Sequence, residues 1–169
     1  MPEKHKRYFL RAKESKALLA KMSEKLQFDL EKVFKDKINV EAVETDFAEI
    51  FLINNEPVLI RSEGNLFPAL SFKEILDSVP KVIVDMGAVP YVCKGANVMA
   101  PGIRKLEGNG KKGDFVFVVD EEHGKPIAVG EMLYDMAEAG KVGHGVVVKS
   151  IHYVGDNVWE AIKRICGKV

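Results

Sequence analysis

The second half of the chain consists of short β-strand patterns separated by glycine-rich turns. Apolar residues alternate or run together in four segments: KVIVD (81–85), DFVFVV (114–119), PIAVGEML (126–133) and GHGVVVKSIHYV (143–154). Short strands with few helices between them are typical of small barrels, which leave little of their strand edges open. This half is therefore predicted to form a small closed or half-closed barrel rather than a layered α/β sheet.

The first half of the chain combines helical and strand patterns. Apolar residues recur at spacings of three and four from Ser15 to Phe34, which predicts a helix. Strand-like segments follow over 38–45, 48–54 and 57–62, and a short helix is predicted over 71–79, where Pro80 ends it. The result is an α+β chain with domains at 1–79 and 80–169, the second closed by an amphipathic helix.

The charges of the chain are segregated although their net sum is zero. Residues 1–37, 80–113 and 141–169 are basic overall, whereas residues 38–79 and 114–140 are acidic overall. Such blocks can fold into one basic and one acidic face, and a local basic patch attracts a polyanion whatever the net charge. Solvated surface without a ligand explains the same blocks equally simply.

The sequence contains no pattern that predicts catalysis or a cofactor. GNGKKG (108–113) has the letters of a GxGxxG motif, but it leads into a strand instead of opening a helix, so no nucleotide cofactor is expected. The DEEH turn (120–123), His144 and His152 lack the spacing of metal ligands, so no metal is expected. His152, inside an apolar strand, is predicted to be a core residue.

Nor does the chain show a pattern for membrane insertion or secretion. No apolar run reaches the roughly 18 residues that span a bilayer, and the basic opening segment has no apolar block behind it. Cys93 and Cys166 have no CxxC partner and are expected to be free thiols, buried or half-buried. A cytoplasmic protein is the expectation.

One bend in the second half has both a structural and a functional interpretation. GANVMAPGI (95–103) contains two glycines and a proline, with Lys94 before it and Arg104 and Lys105 after it. The bend can simply turn a corner, with its apolar side chains in the core. Alternatively, the glycines let a ligand backbone come close and the cations neutralise its phosphates. The residues alone leave both possibilities open.

The order and spacing of three segments resemble a PUA domain, an RNA-binding module named for pseudouridine synthases and archaeosine transglycosylases. The segments are VDMGAVPYVCKGANVMAPGIRKLEG, GDFVFVVDEEHGKPIAVGEM and KVGHGVVVKSIHYVGDNVW, within about residues 80–160. FAEIFLINNEPVLIRSEGNLFPALSFKEIL (47–76) is similar to the pre-PUA domain of the multiple-copies-in-T-cell-malignancy family. Proteins of that family act with the small ribosomal subunit and tRNA in translation initiation and recycling.

The resemblance implies a pseudo-barrel of mixed β-strands and a non-catalytic RNA-binding protein. Its expected partners are structured RNA (tRNA or ribosomal RNA), the small ribosomal subunit and a second translation-factor chain. An accessory subunit of an RNA-modifying enzyme and a protein–protein adapter are the alternatives. The implied RNA-binding residues are Lys94, Gly95, Ala96, Asn97, Val98, Met99, Ala100, Pro101, Gly102, Arg104 and Lys105.

Overall fold

The structure, a computed structural model, describes residues 6–34 and 37–167. Residues 1–5 of the basic opening segment lie outside that part. Contacts between residues divide the chain into two compact units. The first unit combines Met1–Ile75 with Asn157–Val169, and the second unit is Leu76–Asp156. The mixture of helices and sheets confirms the predicted α+β class.

The first unit is built on a five-stranded antiparallel sheet whose strands lie in chain order. Its strands are β1 (Lys6–Phe9), β2 (Val40–Glu44), β3 (Glu49–Ile53), β4 (Glu56–Ser62) and β5 (Asn65–Pro68). Asn54 and Asn55 have positive φ values of 52° and 69°, so they form the turn between β3 and β4 as predicted. Strand β5 was not predicted from the sequence.

Helix α1 (Ala12–Leu26) starts earlier and ends earlier than predicted. It begins where Glu14 accepts a hydrogen bond from the N–H of Arg11 at 3.2 Å. It ends because Gln27 adopts a left-handed conformation, with φ 56°. A separate 3-10 turn over Leu30–Val33 then keeps the apolar spacing without continuing the helix.

The predicted helix over residues 71–79 is also shorter in the structure. Only Lys73–Ile75 form a 3-10 turn. Phe72, Ile75 and Val79 are all buried, at spacings of three and four. Their helix-like pattern therefore reflects burial of a largely irregular segment.

The second unit contains a six-stranded mixed sheet in the order β7-β11-β10-β9-β6-β8, which curls into a half-barrel. Strands β6 and β9 are parallel and the other neighbours are antiparallel. Val82, Val118 and Val148 lie in its core. The strands are β6 (Lys81–Val84), β7 (Val98–Met99), β8 (Ile103–Glu107), β9 (Phe115–Asp120), β10 (Pro126–Met132) and β11 (Val146–Tyr153), and the short helices are α2 (Val89–Val92) and α3 (Met136–Ala139).

The closing helix α4 (Asn157–Cys166) groups with the first unit, not with the second as the sequence analysis expected. Ala161 and Ile162 are its buried residues, and the helix packs near β4. An amphipathic pattern predicts that a helix buries one face, but it does not say which sheet covers that face. That residues 80–169 fold by themselves is a prediction.

Candidate nucleic-acid interface

The bend after α2 is held together by its own backbone. Asp85 accepts a hydrogen bond from the N–H of Ala88 at 2.8 Å, where α2 begins. The carbonyl of Tyr91 accepts from the N–H groups of Lys94 and Ala96, both at 3.0 Å, and Gly95 donates to Val92 at 3.0 Å. The N–H groups of residues 94–96 are therefore engaged inside the bend, and they are not free to bind a phosphate.

Both glycines of the bend are closely packed. Gly95 has a φ of 95°, and a Cβ added there would lie 2.9 Å from the ring of Tyr153. A Cβ added at Gly102 would lie 3.1 Å from the Cβ of Ala88. The bend is thus a structural corner, and any ligand binds beside these glycines rather than in the space they leave.

The side chains between the two glycines point to different environments. Val98 is buried in the core, so its side chain supports the bend without facing solvent. Met99 is 48 % exposed, and Asn97 and Pro101 are also exposed. Asn97 accepts a hydrogen bond from the N–H of Ser150 at 2.9 Å, which ties the bend to β11.

The three predicted cations differ in their surroundings. Arg104 Nε lies 3.1 Å from Glu121 Oε2, and Lys105 Nζ lies 3.1 Å from Glu107 Oε1. Both pairs are solvent-exposed and therefore weak, but a phosphate would have to compete with these carboxylates. Lys94 is exposed, and no carboxylate in the described residues pairs with it.

Arg104 also occupies a special position on its strand. Ile83 pairs with Lys105 and Val84 with Ile103, so Arg104 is the extra residue of a β-bulge on the edge strand β8. Bulges change the direction in which a side chain points and are frequent beside binding sites.

The structure adds a second loop that the sequence analysis considered only as a metal site. The N–H of Ala100 donates to the carbonyl of Gly145 at 2.9 Å, which places the loop Gly143–His144–Gly145 beside the bend. No atom of the described residues lies within 4 Å of the positions that a Cβ would take at Gly143 and Gly145. His144 is exposed. A ligand can therefore approach the backbone of this loop closely. In the sequence, the triplet Gly-His-Gly indicates this accessible backbone.

Together these residues form what we call the bend surface, which consists of Lys94, Asn97, Met99, Pro101 and His144. It contains a cation without an ion-pair partner in the described part of the chain, an imidazole, a fixed amide and two apolar side chains. A surface of this kind can bind a phosphate at Lys94 and contact sugars or bases at Met99 and Pro101.

Buried polar groups of the second unit have structural roles. His152 is fully buried, as predicted for a core residue, and its Nδ1 lies 2.8 Å from Asp156 Oδ2. Burial alone would raise the pKa of Asp120, but the N–H groups of His123 and Lys125 donate to its carboxylate and hold the pKa below its usual value. Asp120 thus closes the 120–125 turn that the sequence analysis rejected as a metal site.

Three further findings concern groups outside the bend surface. Within residues 6–34 and 37–167, no cluster of three or more histidines, cysteines or acidic residues is arranged to hold a metal ion. Cys93 and Cys166 are half-buried and form no disulfide, as predicted. No helix in this part of the chain is long and apolar enough to cross a membrane.

Comparison with known proteins identifies both halves of the chain. Residues 80–154 match the PUA domain, and residues 6–76 match a domain of unknown function, DUF1947. An uncharacterized protein of Methanocaldococcus jannaschii is 39 % identical, over 93 % of this chain and 97 % of its own length. A crystal structure of a hypothetical protein from Pyrococcus horikoshii has a TM-score of 0.79 and 34 % identity, over 93 % of this chain and 99 % of that one.

Two relatives carry informative names. The malignant T-cell-amplified sequence 1 homolog of Dictyostelium discoideum is 30 % identical, over 76 % of this chain and 75 % of its own length. Translation machinery-associated protein 20 of Schizosaccharomyces pombe is 30 % identical, over 67 % of this chain and 66 % of its own length. With both of its domains matched, the chain belongs to the malignant T-cell-amplified sequence 1 family, in which a DUF1947 (pre-PUA) domain precedes a PUA domain.

Proposed function

We propose that this protein binds RNA through the bend surface of its PUA domain and acts in translation. The observation that carries the proposal is the exposed ammonium group of Lys94, which lies in the matched PUA segment and has no carboxylate partner in the described residues. The name of the fission yeast relative, which refers to the translation machinery, supports the place of action.

The proposed targets are the acceptor end of tRNA and small-subunit ribosomal RNA, and the proposed location is the cytoplasm. The small ribosomal subunit or a second translation-factor chain is the proposed partner. RNA binding in this proposal is non-catalytic, because the cation and the apolar side chains of the bend surface suit phosphate neutralisation and non-polar contact.

The electrostatic part of the proposal is tested by charge reversal. Titration of Lys94→Glu with tRNA and with small-subunit ribosomal RNA at several salt concentrations should show weaker binding. The slope of log K against log salt should fall by roughly 0.7 to 0.9 for each phosphate that the protein no longer neutralises. Lys111→Glu is the matched control, because Lys111 is also an exposed lysine of the second unit, has no ion-pair partner in the described residues and lies outside the bend surface.

Co-purification from cells tests the place of action. Recovery of small ribosomal subunits with the wild-type chain, and their absence with Lys94→Glu, is the expected result. Recovery of an RNA-modifying enzyme would favour an accessory role instead. Unchanged affinity and salt slope in a folded Lys94→Glu protein would remove the bend surface as the RNA-binding site.

A further inference from the structure

Tyr91, on α2, presents an aromatic ring that packing does not explain. The residue is 68 % exposed, more than Met99 and Met86, the exposed large hydrophobic residues nearest to it in sequence. Within the described residues, its hydroxyl has no hydrogen-bond partner and its ring contacts no cation or second ring. Tyrosine usually buries much of its ring, so this exposure calls for a ligand.

The backbone beneath that ring is fixed on both sides. The N–H of Tyr91 donates to the carbonyl of Ala88 at 3.1 Å, and its own carbonyl accepts from Lys94 and Ala96. These bonds hold the Cα–Cβ direction in the free protein, leaving only the side-chain torsions to be ordered on binding. A ring held in this way is a preorganised contact, which lowers the entropic cost of association.

Lys94 lies on the same side of this helical turn as Tyr91. The two residues are three positions apart, and the N–H of Lys94 bonds to the carbonyl of Tyr91 at 3.0 Å, which is the 3-10 pattern that places side chains three positions apart on the same side. An exposed aromatic ring beside an unpaired cation is the combination with which proteins bind single-stranded nucleic acid. The ring stacks on a base while the cation neutralises a neighbouring phosphate.

We infer that Tyr91 is a stacking platform for one unpaired base, and that the RNA is single-stranded where it crosses α2. The inference rests on the proposed function, because it describes the RNA at that same site. In a duplex both faces of an interior base are covered by its neighbours, so a tyrosine ring can stack only on a base that is unpaired or terminal. A single-stranded tail of a structured RNA meets this requirement, and a continuous helix does not.

The test compares Tyr91→Ala and Tyr91→Phe on two RNA probes. One probe is a short single strand without self-complementarity, and the other is a long blunt duplex that contains the same sequence paired with its complement. Tyr91→Ala should weaken binding of the single strand by roughly 5- to 150-fold, which corresponds to one base that is no longer stacked. Tyr91→Phe should bind like the wild type, and binding of the duplex should not change. Tyr134→Ala, another exposed tyrosine of the second unit, is the matched control.

A fluorescent base gives a readout that a merely structural role would not move. With 2-aminopurine in the single strand, the wild type and Tyr91→Phe should quench its emission on binding, and Tyr91→Ala should not. The exposed ring makes few contacts in the fold, so thermal unfolding of Tyr91→Ala should match that of the wild type.

The outcomes separate this inference from the proposed function. If Lys94→Glu weakens RNA binding and Tyr91→Ala does not, the stacking role is overturned while RNA binding at the bend surface stands. If Tyr91→Ala weakens single strand and duplex equally, or if it abolishes only co-purification of a protein partner, base stacking is overturned as well. If the wild type binds neither probe, nor tRNA, nor ribosomal RNA, both ideas fail together.

Discussion

Substitution of Gly95 separates packing from ligand access most directly. Gly95 has a φ of 95°, and an added Cβ would meet Cε1 and Cζ of Tyr153 at 2.9 Å. A left-handed backbone costs a residue with a Cβ about 1–2 kcal/mol, and overpacking against a held ring adds about 1–3 kcal/mol. Gly95→Ala should therefore lower the free energy of unfolding by about 2–5 kcal/mol.

Gly113→Ala is the matched control for the backbone contribution. Gly113 has a φ of 90°, nearly that of Gly95, but no atom of the described residues lies within 4 Å of the position that its Cβ would take. This variant should lose only the strain of about 1–2 kcal/mol. Tyr153→Leu combined with Gly95→Ala should bring the cost of the alanine down to the same value, because the ring is gone.

Urea unfolding of the full chain, followed by circular dichroism, measures these differences. Equal costs for Gly95→Ala and Gly113→Ala would refute the claim that Tyr153 requires a glycine at position 95. The affinity of the folded Gly95→Ala protein for tRNA tests whether Gly95 is needed for ligand access. This affinity should be close to that of the wild type. A large decrease in the affinity of fully folded protein would show that Gly95 is part of the ligand site.

Three further predictions concern other parts of the chain. Ile162→Ala should destabilise the first unit by about 2–4 kcal/mol, because Ile162 is fully buried on α4. Urea unfolding measures this loss, and a destabilisation confined to the second unit would contradict the packing of α4. The pKa of Asp120 is lowered in the fold, so the ionised carboxylate stabilises the fold above its unfolded pKa, near 3.8, and this stabilisation is lost as the pH falls through the folded pKa. Asp120→Asn should therefore be less stable than the wild type at pH 7. The stability of the variant should also depend less on pH below pH 4. Burial raises the pKa of the Cys93 thiol, so its reaction with a disulfide reagent at pH 8 should be slower in the folded protein than in urea, and equal rates would show that the thiol is not protected.

The sequence was a good guide where one residue determines the local conformation. Asn54 and Asn55 adopt the positive φ values that a tight turn needs, and asparagine is a residue type that indicates such a turn in a sequence. The class of fold followed from short apolar segments in the same way. Gly95 was also recognised as special, but its neighbour, the ring of Tyr153, is far away in sequence. No local pattern states which atom fills the space beside a glycine.

The candidate site was harder to predict because exposure and pairing depend on tertiary structure. Lys94, Arg104 and Lys105 look alike in the sequence, whereas the fold places Glu121 and Glu107 against two of them. Tyr91 lies in an apolar segment and would ordinarily be assigned to a core. The structure instead exposes it, because the short helix α2 buries Val92 and turns the preceding residue outward.

The return of α4 to the first unit has a consequence for synthesis on the ribosome. Residues 76–156 emerge as a continuous stretch and can complete their sheet as soon as β11 leaves the exit tunnel. Residues 6–75 emerge earlier, but the face that Ala161 and Ile162 cover stays open until the last helix has been made. If the second unit folds by itself, the usual order, in which the amino-terminal part is finished first, is reversed in this chain. Nascent chains stalled before residue 157 should hold a protease-resistant second unit behind a first unit that is still cleaved.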